Sequence, residues 1–404
     1  MPGIGPVVAS PIAAKERSAM PTVRHAISEM ETQRIGEVSR IAIGDPDVIP
    51  LWFGESDVDT PDFIGEAAIA AIRAGHTRYV NKRGIPELRQ AVHDYMQGLY
   101  AVDLDPERIT VTGSGMTAIM IATETLVDNG DNVVLISPIW PNIFYCVQTM
   151  GGESRHVRLQ MTEGGWQLDL EQLFRACDER TKAIFIASPS NPSGWMMERE
   201  EQQAVLDFCR QRGIWIIADE VYHRIVYDRA VAPSFLEIAE PDDALYVVHS
   251  LSKSWAMTGW RCGWLIHPAE LGDRIGDLSG INNTGSTSFV QHAAVAAVRD
   301  GEDFIGDMVA RCRRGRDIVY QRLGGMDRVR LTAPKAAFYA FPKIEGLEDD
   351  LAFAKRLVRE FRVGLAPGTA FGPGNEGYLR LCFAKAEDQL SAAMDRLEAG
   401  LRAL

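Results

Sequence analysis

Cysteine is sparse, basic residues are outnumbered, and no long apolar run is present. Six cysteines are spread over 404 residues, at 146, 177, 209, 262, 312 and 382. None forms a C-x-x-C pair, so neither a disulfide framework nor a zinc site is expected. Reduced thiols in a cytoplasmic protein are the default. Lys and Arg total 42 against 55 Asp and Glu, a formal net charge of -13. That balance argues against nucleic acid or an anionic membrane as partner, and leaves room for a local basic pocket around a small anion. No apolar stretch approaches the length of a membrane span. Residues 1–14 are rich in Pro, Gly and small apolar types. They lack the basic start and clean apolar core of a signal peptide, and predict a flexible tail over 1–20. Internal repeats and low-complexity segments are missing as well.

What is present is the composition of a soluble globular protein, 46% hydrophobic and 24% charged. A chain of this length exceeds one compact core and predicts two or three domains. A helical pattern covers 24–43, inside an N-terminal segment, 21–50, expected to join a small domain. Thr60 before Pro61 reads as the N-cap of a helix reaching about residue 74. Short apolar strands are predicted at 109–112, 132–136, 182–187, 214–218 and 244–248, alternating with helices such as 199–211. That alternation predicts an α/β fold: a large domain, 51–297, with a mostly parallel sheet sandwiched by helices. From residue 301 the pattern changes to a long helix, short strand-like pieces and two further helices. This predicts a smaller α+β domain over 298–404.

The densest chemistry lies at 249–264, directly after an apolar strand. Lys253 leaves the strand end among Ser250, Ser252 and Ser254, and Arg261 follows between Gly259 and Gly263. A lone lysine is ordinarily a solvated surface residue. In a walled pocket it can lose its proton and act as an amine nucleophile. An arginine and a serine nearby can hold a phosphate. Amine nucleophile plus phosphate clamp describes a pyridoxal phosphate site. Gly113-Ser114-Gly115, between a strand and a helix beginning at Met116, offers free N–H groups and a helix dipole to the same anion. Asp219 ends a buried strand and needs a partner, with Tyr222 three residues on. Arg380 sits mid-strand among apolar residues, where it is either on a solvent face or bound to an anion.

The run Met257-Thr258-Gly259-Trp260-Arg261 and the lysine stretch before it resemble fold type I, class I aminotransferases. Seven separated segments agree in order and spacing, from about residue 43 to the C-terminus. The resemblance implies pyridoxal phosphate on Lys253, with Asp219 holding the ring nitrogen protonated and Tyr222 and Asn191 donating to the ring oxygen. It implies Trp140 stacked on the ring, and Ser114, Gly115, Met116, Ser250 and Arg261 around the phosphate. Arg380 would clamp the substrate α-carboxylate, with Asn191, Gly54 and Trp140 beside it. Tyr79 would reach the cofactor phosphate of a neighbouring subunit, in a homodimer with shared sites. No metal is implied. The reaction would pass an amino group from an L-amino acid to a 2-oxo acid by a ping-pong mechanism. A carbon–sulfur lyase or decarboxylase on the same fold is the alternative, and a non-catalytic sensor a more distant one.

Two departures from dicarboxylate-specific members bear on the donor. Bacterial relatives that use aspartate often carry lysine after the phosphate-loop glycine, where this chain has Met116. The stretch 280–288 also offers no cation. A buried side-chain carboxylate without a positive partner is costly. The expectation is a neutral, aromatic or broad-range donor, with Lys82 and Arg83 as the nearby cations that could reverse it.

Overall fold

The computed structural model describes residues 22–404; the tail expected over 1–20 lies outside them. Seven strands form the main sheet: β1 (Ile109–Thr112), β2 (Asn132–Ser137), β3 (Glu153–Arg158), β4 (Thr181–Ala187), β5 (Trp215–Asp219), β6 (Leu245–Ser250) and β7 (Gly263–Ile266). Their order across the sheet is β1-β7-β6-β5-β4-β2-β3. The pairs β3–β2, β2–β4, β4–β5 and β5–β6 are parallel, and β7 is antiparallel to both of its neighbours. Strands covered by helices on both faces need apolar residues on both sides of the chain. That is why β2 and β6 are uninterrupted buried runs.

Parallel strands release their following loops at one edge, and β7 enters from that same edge. Gly263 pairs with both Thr112 and Ser250 there. A side chain on Gly263 would press into the His249 carbonyl, at 2.6 Å, and the Gly115 amide, at 2.8 Å. Glycine therefore lets the start of helix Gly115–Leu126 pack directly onto the strand ends. Two apolar cores result, one on each face of the sheet.

The C-terminal part packs helices Glu302–Leu323, Asp350–Phe361 and Glu387–Arg402 with a small antiparallel sheet of β8 (Tyr339–Ala340), β9 (Ala366–Pro367) and β10 (Leu379–Cys382), in the order β8-β10-β9. One core runs from the main sheet into this part and includes Val319, Phe353 and Leu397. Ile49 and Pro50 pair in parallel with Val363 and Gly364, which ties the N-terminal segment to it. The Trp52 ring then lies against Gly364, where a Cβ would overlap two of its ring carbons.

Two local expectations are corrected. The helix expected over 24–43 is two short helices, His25–Ser28 and Arg34–Ser39, joined by extended chain. Contacts to the helix Asn142–Met150 outweigh helix propensity here: Tyr145 donates to the Glu31 carbonyl and Gln33 donates to Asn142. Thr60 does not cap the next helix. Pro61 takes the cap position of Asp62–Arg73, and the Thr60 hydroxyl donates instead to the Ala256 carbonyl at 2.6 Å. All six cysteines are buried and unpaired. Among the described residues no helix is long and apolar enough to cross a membrane.

The Gly364 contact can be tested. Gly364→Ala places a methyl inside the Trp52 ring, and overpacking of this kind costs about 1–3 kcal/mol. The urea midpoint of the variant is expected to fall while the slope of the transition stays unchanged.

Candidate active site

The loops leaving β1, β2, β4, β5 and β6 surround a cleft of about 560 Å³ at the carboxyl edge of the sheet. The position is where α/β sheets of this kind bind ligands. Gly54, Gly115, Met116, Trp140, Asn191, Asp219, Tyr222, Ser250, Lys253, Arg261 and Arg380 all line it. These come from segments spread over most of the chain and are brought together by the fold.

Lys253 is half-buried, and its Nζ donates to the Gly54 carbonyl at 2.6 Å. Burial pushes its pKa down to about 8; Arg380 adds to that, while Cys382, Glu55 and Asp219 oppose it. An appreciable fraction of the amine is therefore unprotonated near neutrality, as a nucleophile or proton carrier requires. The start of the lysine loop is held by its own serine hydroxyls. Ser252 N–H and the Ser250 hydroxyl meet at 3.1 Å, and the Ser250 hydroxyl donates to Ser252 at 3.0 Å. Arg261 adopts a left-handed φ of 55°, uncommon for a side chain with Cβ, and its Nη1 donates to the Thr258 carbonyl at 2.7 Å.

Asp219 closes β5 at 8% exposure. The only hydrogen-bond donor to its carboxylate among the described residues is the Val221 amide, at 3.4 Å. Burial pushes its pKa up to about 6, against the pull of that amide and of Lys253. Arg380, at 2% exposure, donates to the Asn191 side chain at 3.2 Å and to the Trp52 carbonyl. Its Nε is buried without a partner among the described residues. The solvent-face alternative for Arg380 is thereby removed. The Tyr222 hydroxyl lies 2.6 Å from that of Tyr339, and burial holds the phenol far above its ordinary pKa.

These residues fit pyridoxal phosphate. A buried carboxylate without a cation suits a protonated ring nitrogen, and an orphaned guanidinium N–H suits a carboxylate. The first amides of helix Gly115–Leu126 have no partners within the helix and face the cleft beside Ser250 and Arg261. Among the described residues no cluster of side chains could hold a metal ion.

Two sequence-predicted residues stand apart. The Ser114 hydroxyl accepts from the Thr117 amide at 3.0 Å and caps the helix, so it is the Gly115–Met116 backbone that reaches the cleft. Tyr79 is 89% exposed and lies outside the cleft, in a separate hollow with Thr284 and Phe289. Sequence reading also passed over several lining residues. Ser252 was within the quoted stretch and took no role. Gln33, Ile35 and Ser39 line the cleft from the N-terminal segment and belong to no motif. Tyr339 reads as a core aromatic in an apolar strand, and only the fold brings it to Tyr222.

Comparison with known proteins agrees with this geometry. The family model for aminotransferase class I and II matches residues 46–397. A probable aspartate/prephenate aminotransferase from Aquifex aeolicus is 36% identical over 364 residues, 88% of this chain and 91% of that protein. Aromatic-amino-acid aminotransferase 2 from Thermococcus litoralis is 32% identical over 367 residues, 90% of this chain and 94% of that protein. The crystal structure of aspartate aminotransferase from Thermotoga maritima matches with a TM-score of 0.88 at 32% identity, covering 94% of this chain and all of that one. By sequence over most of its length and by fold, the chain belongs to the class I and II aminotransferases, fold type I enzymes that use pyridoxal phosphate to move an amino group between an amino acid and a 2-oxo acid.

Proposed function

We propose that this chain transfers the amino group of a neutral, aromatic or broad-range donor, with Lys253, Asp219 and Arg380 as its working charges. The observation that carries the reading is their convergence in one cleft: an amine of lowered pKa, an unpaired carboxylate and an unpaired guanidinium. Pyridoxal phosphate, once bound, supplies an aldehyde that bonds to amines and a ring that accepts the electron pair left when a Cα–H bond breaks. Lys253 would hold the cofactor through Nζ, and its free amine would serve as the carrier of the α-proton. Asp219 keeps the ring nitrogen protonated. Tyr222 and Asn191 direct donors at the ring oxygen, and Trp140 covers the ring face. Ser250, Arg261 and the Gly115 and Met116 amides hold the phosphate, with the Ser114 cap fixing that turn. Arg380 binds the donor α-carboxylate beside Gly54, and its burial excludes the water that would otherwise weaken the pair. The lyase and decarboxylase alternatives are not favoured, since the relatives described above are aminotransferases.

We read 51–297 as the large cofactor-binding domain and 298–404 as the small domain, with 21–50 joined to it. The family resemblance and the exposure of Tyr79 support a homodimer with shared sites, and six buried, unpaired cysteines suit a reducing compartment such as the cytoplasm.

Donor selectivity rests on the cleft wall. Its lysines and arginines are Lys253, Arg261 and Arg380, each with a role already. Lys82 is paired with Asp277, and Arg83 with Glu107 at 2.7 Å. The Met116 sulfur accepts from the Asn142 amide at 3.6 Å, in a neutral, partly apolar wall with Ile35, Phe53 and Trp140. Among the described residues, a second carboxylate on the donor finds no free cation in this wall.

Three outcomes are expected. First, kcat/KM for phenylalanine or methionine exceeds that for aspartate, with pyruvate or 2-oxoglutarate as acceptor. A tenfold preference for aspartate, about 1.4 kcal/mol of discrimination, would reverse the assignment. Second, Asp219→Asn lowers turnover by orders of magnitude yet stabilises the cofactor-free protein. The folded pKa of about 6 lies above the ordinary 3.8. The wild type therefore keeps its full stability below the lower value and loses it as pH rises through the upper one. That gap corresponds to about 3 kcal/mol. The melting temperature of the variant is expected to rise above that of the wild type progressively between pH 4 and 7. Third, mixing inactive Lys253→Ala protein with an inactive Tyr79→Phe or Tyr79→Ala variant restores activity in hybrid dimers. Hybrids that form and stay inactive would remove Tyr79 from the neighbouring site.

A further inference from the structure

Tyr339 belongs to no motif quoted for the family site, yet it touches the two sides of the cleft at once. It lies on β8, fully buried, opposite Cys382 of β10, the strand that carries Arg380. The Arg380 guanidinium carbon sits 4.7 Å from the centre of the Tyr339 ring. The other end of the side chain reaches the main sheet. Its hydroxyl is 2.6 Å from the Tyr222 hydroxyl, and the two rings meet edge-on, 5.7 Å apart at 82°. The wall behind it is Gly54. A Cβ there would overlap the Tyr339 hydroxyl and come within 2.9 Å of its ring carbon. Gly54 is also the residue whose carbonyl accepts from Lys253.

The hydrogen-bond inventory sets a direction. Two neutral phenols at this distance share one hydrogen bond, so one O–H donates and the other oxygen accepts. Both phenols are neutral, because burial holds each above its ordinary pKa. Among the described residues, the Tyr222 oxygen is the sole hydrogen-bond partner of the Tyr339 hydroxyl. The pair by itself admits either donor; with the ring oxygen assigned to Tyr222 above as a further acceptor, the arrangement that places both protons has Tyr339 donating to Tyr222 and Tyr222 donating into the cleft. The ring face does separate work. A guanidinium over an aromatic face is attracted by the ring quadrupole. With Nη1 on Asn191 and Nη2 on the Trp52 carbonyl, that contact sets the plane in which Arg380 meets a carboxylate.

We infer that Tyr339 is a positioning residue for amino transfer: its hydroxyl aims the Tyr222 O–H at the cofactor, and its ring orients Arg380 for the donor carboxylate. The inference rests on the roles given to Tyr222 and Arg380 under the proposed function. It adds a mechanical link between the cofactor side of the cleft and the substrate side.

The test is a double-mutant cycle read by affinity in the cofactor-free protein. Pyridoxal phosphate is titrated into wild type, Tyr222→Phe, Tyr339→Phe and the double variant, with tryptophan fluorescence as signal. Phenylalanine keeps both rings and the packing, so loss of the fold does not obscure the result. Each single variant is expected to bind about fivefold more weakly, the size of one neutral hydrogen bond. The double variant is expected to bind no more weakly than Tyr222→Phe alone. Donor KM separates the ring from the hydroxyl. Tyr339→Phe leaves it within about twofold of wild type, whereas Tyr339→Leu raises it by roughly threefold or more as the aromatic face is lost. An unchanged KM in folded Tyr339→Leu overturns the ring's part. Additive losses in the cycle, or full affinity in Tyr339→Phe beside weakened Tyr222→Phe, overturn the hydroxyl's part and leave the role of Tyr222 standing. Full affinity in both single variants overturns the role of Tyr222 as well.

Discussion

Arg380 is buried to 2% exposure, and the acceptors it meets, the Trp52 carbonyl and the Asn191 side chain, carry no charge. Removing a guanidinium from water without a carboxylate is expensive, and an orphaned N–H adds to the cost. Much of the surrounding architecture serves to hold that arrangement. The N-terminal segment is tied down by the Ile49–Val363 pairing, so that Trp52 can present its carbonyl. The loop after β4 brings Asn191, and β8 brings the Tyr339 ring beneath the guanidinium. Three parts of the chain, far apart in sequence, meet at one cation.

Asp219 is the counterpart of opposite sign. It too is buried without a charged partner in contact, and it too is less stable charged than a solvated group would be. A folded protein ordinarily avoids either condition. Keeping both in one cleft is a cost to stability that suits a ligand pair of complementary charge: a protonated ring nitrogen at one end and a carboxylate at the other. Strain and desolvation concentrated at a binding site are offset by the two extended apolar cores on either face of the sheet.

The sheet was legible because its strands are buried on both faces and read as unbroken apolar runs. The lysine loop was legible because Ser250, Ser252, Lys253 and Arg261 are contiguous. Arg380 could be placed on a strand, but sequence alone left it between solvent and ligand; burial removed the solvent face. The N-terminal segment was misjudged because its helical periodicity competes with contacts to Tyr145 and Asn142, more than a hundred residues away in sequence. Thr60 was misjudged for a related reason: its hydroxyl is drawn to the lysine loop, a contact no local pattern encodes. Tyr339 has the same signature as any core tyrosine, and its meeting with Tyr222 exists only across two sheets.

The antiparallel strand β7 has a consequence for how distances in the cleft can change. Ser250 and Gly263 face each other across one rung of the ladder, so the loop 251–262 begins and ends at the same point of the sheet. Lys253 and Arg261 ride on a single closed loop, and the gap between the amine and the Arg261 guanidinium is set within one frame of reference. Arg380 belongs to the other frame, on β10. A displacement of one frame against the other alters the reach from Lys253 to Arg380 and leaves the reach from Lys253 to Arg261 untouched. Under the proposed roles of Arg380 and Arg261, adjustment to donors of different length would be mechanically separated from the grip on the cofactor.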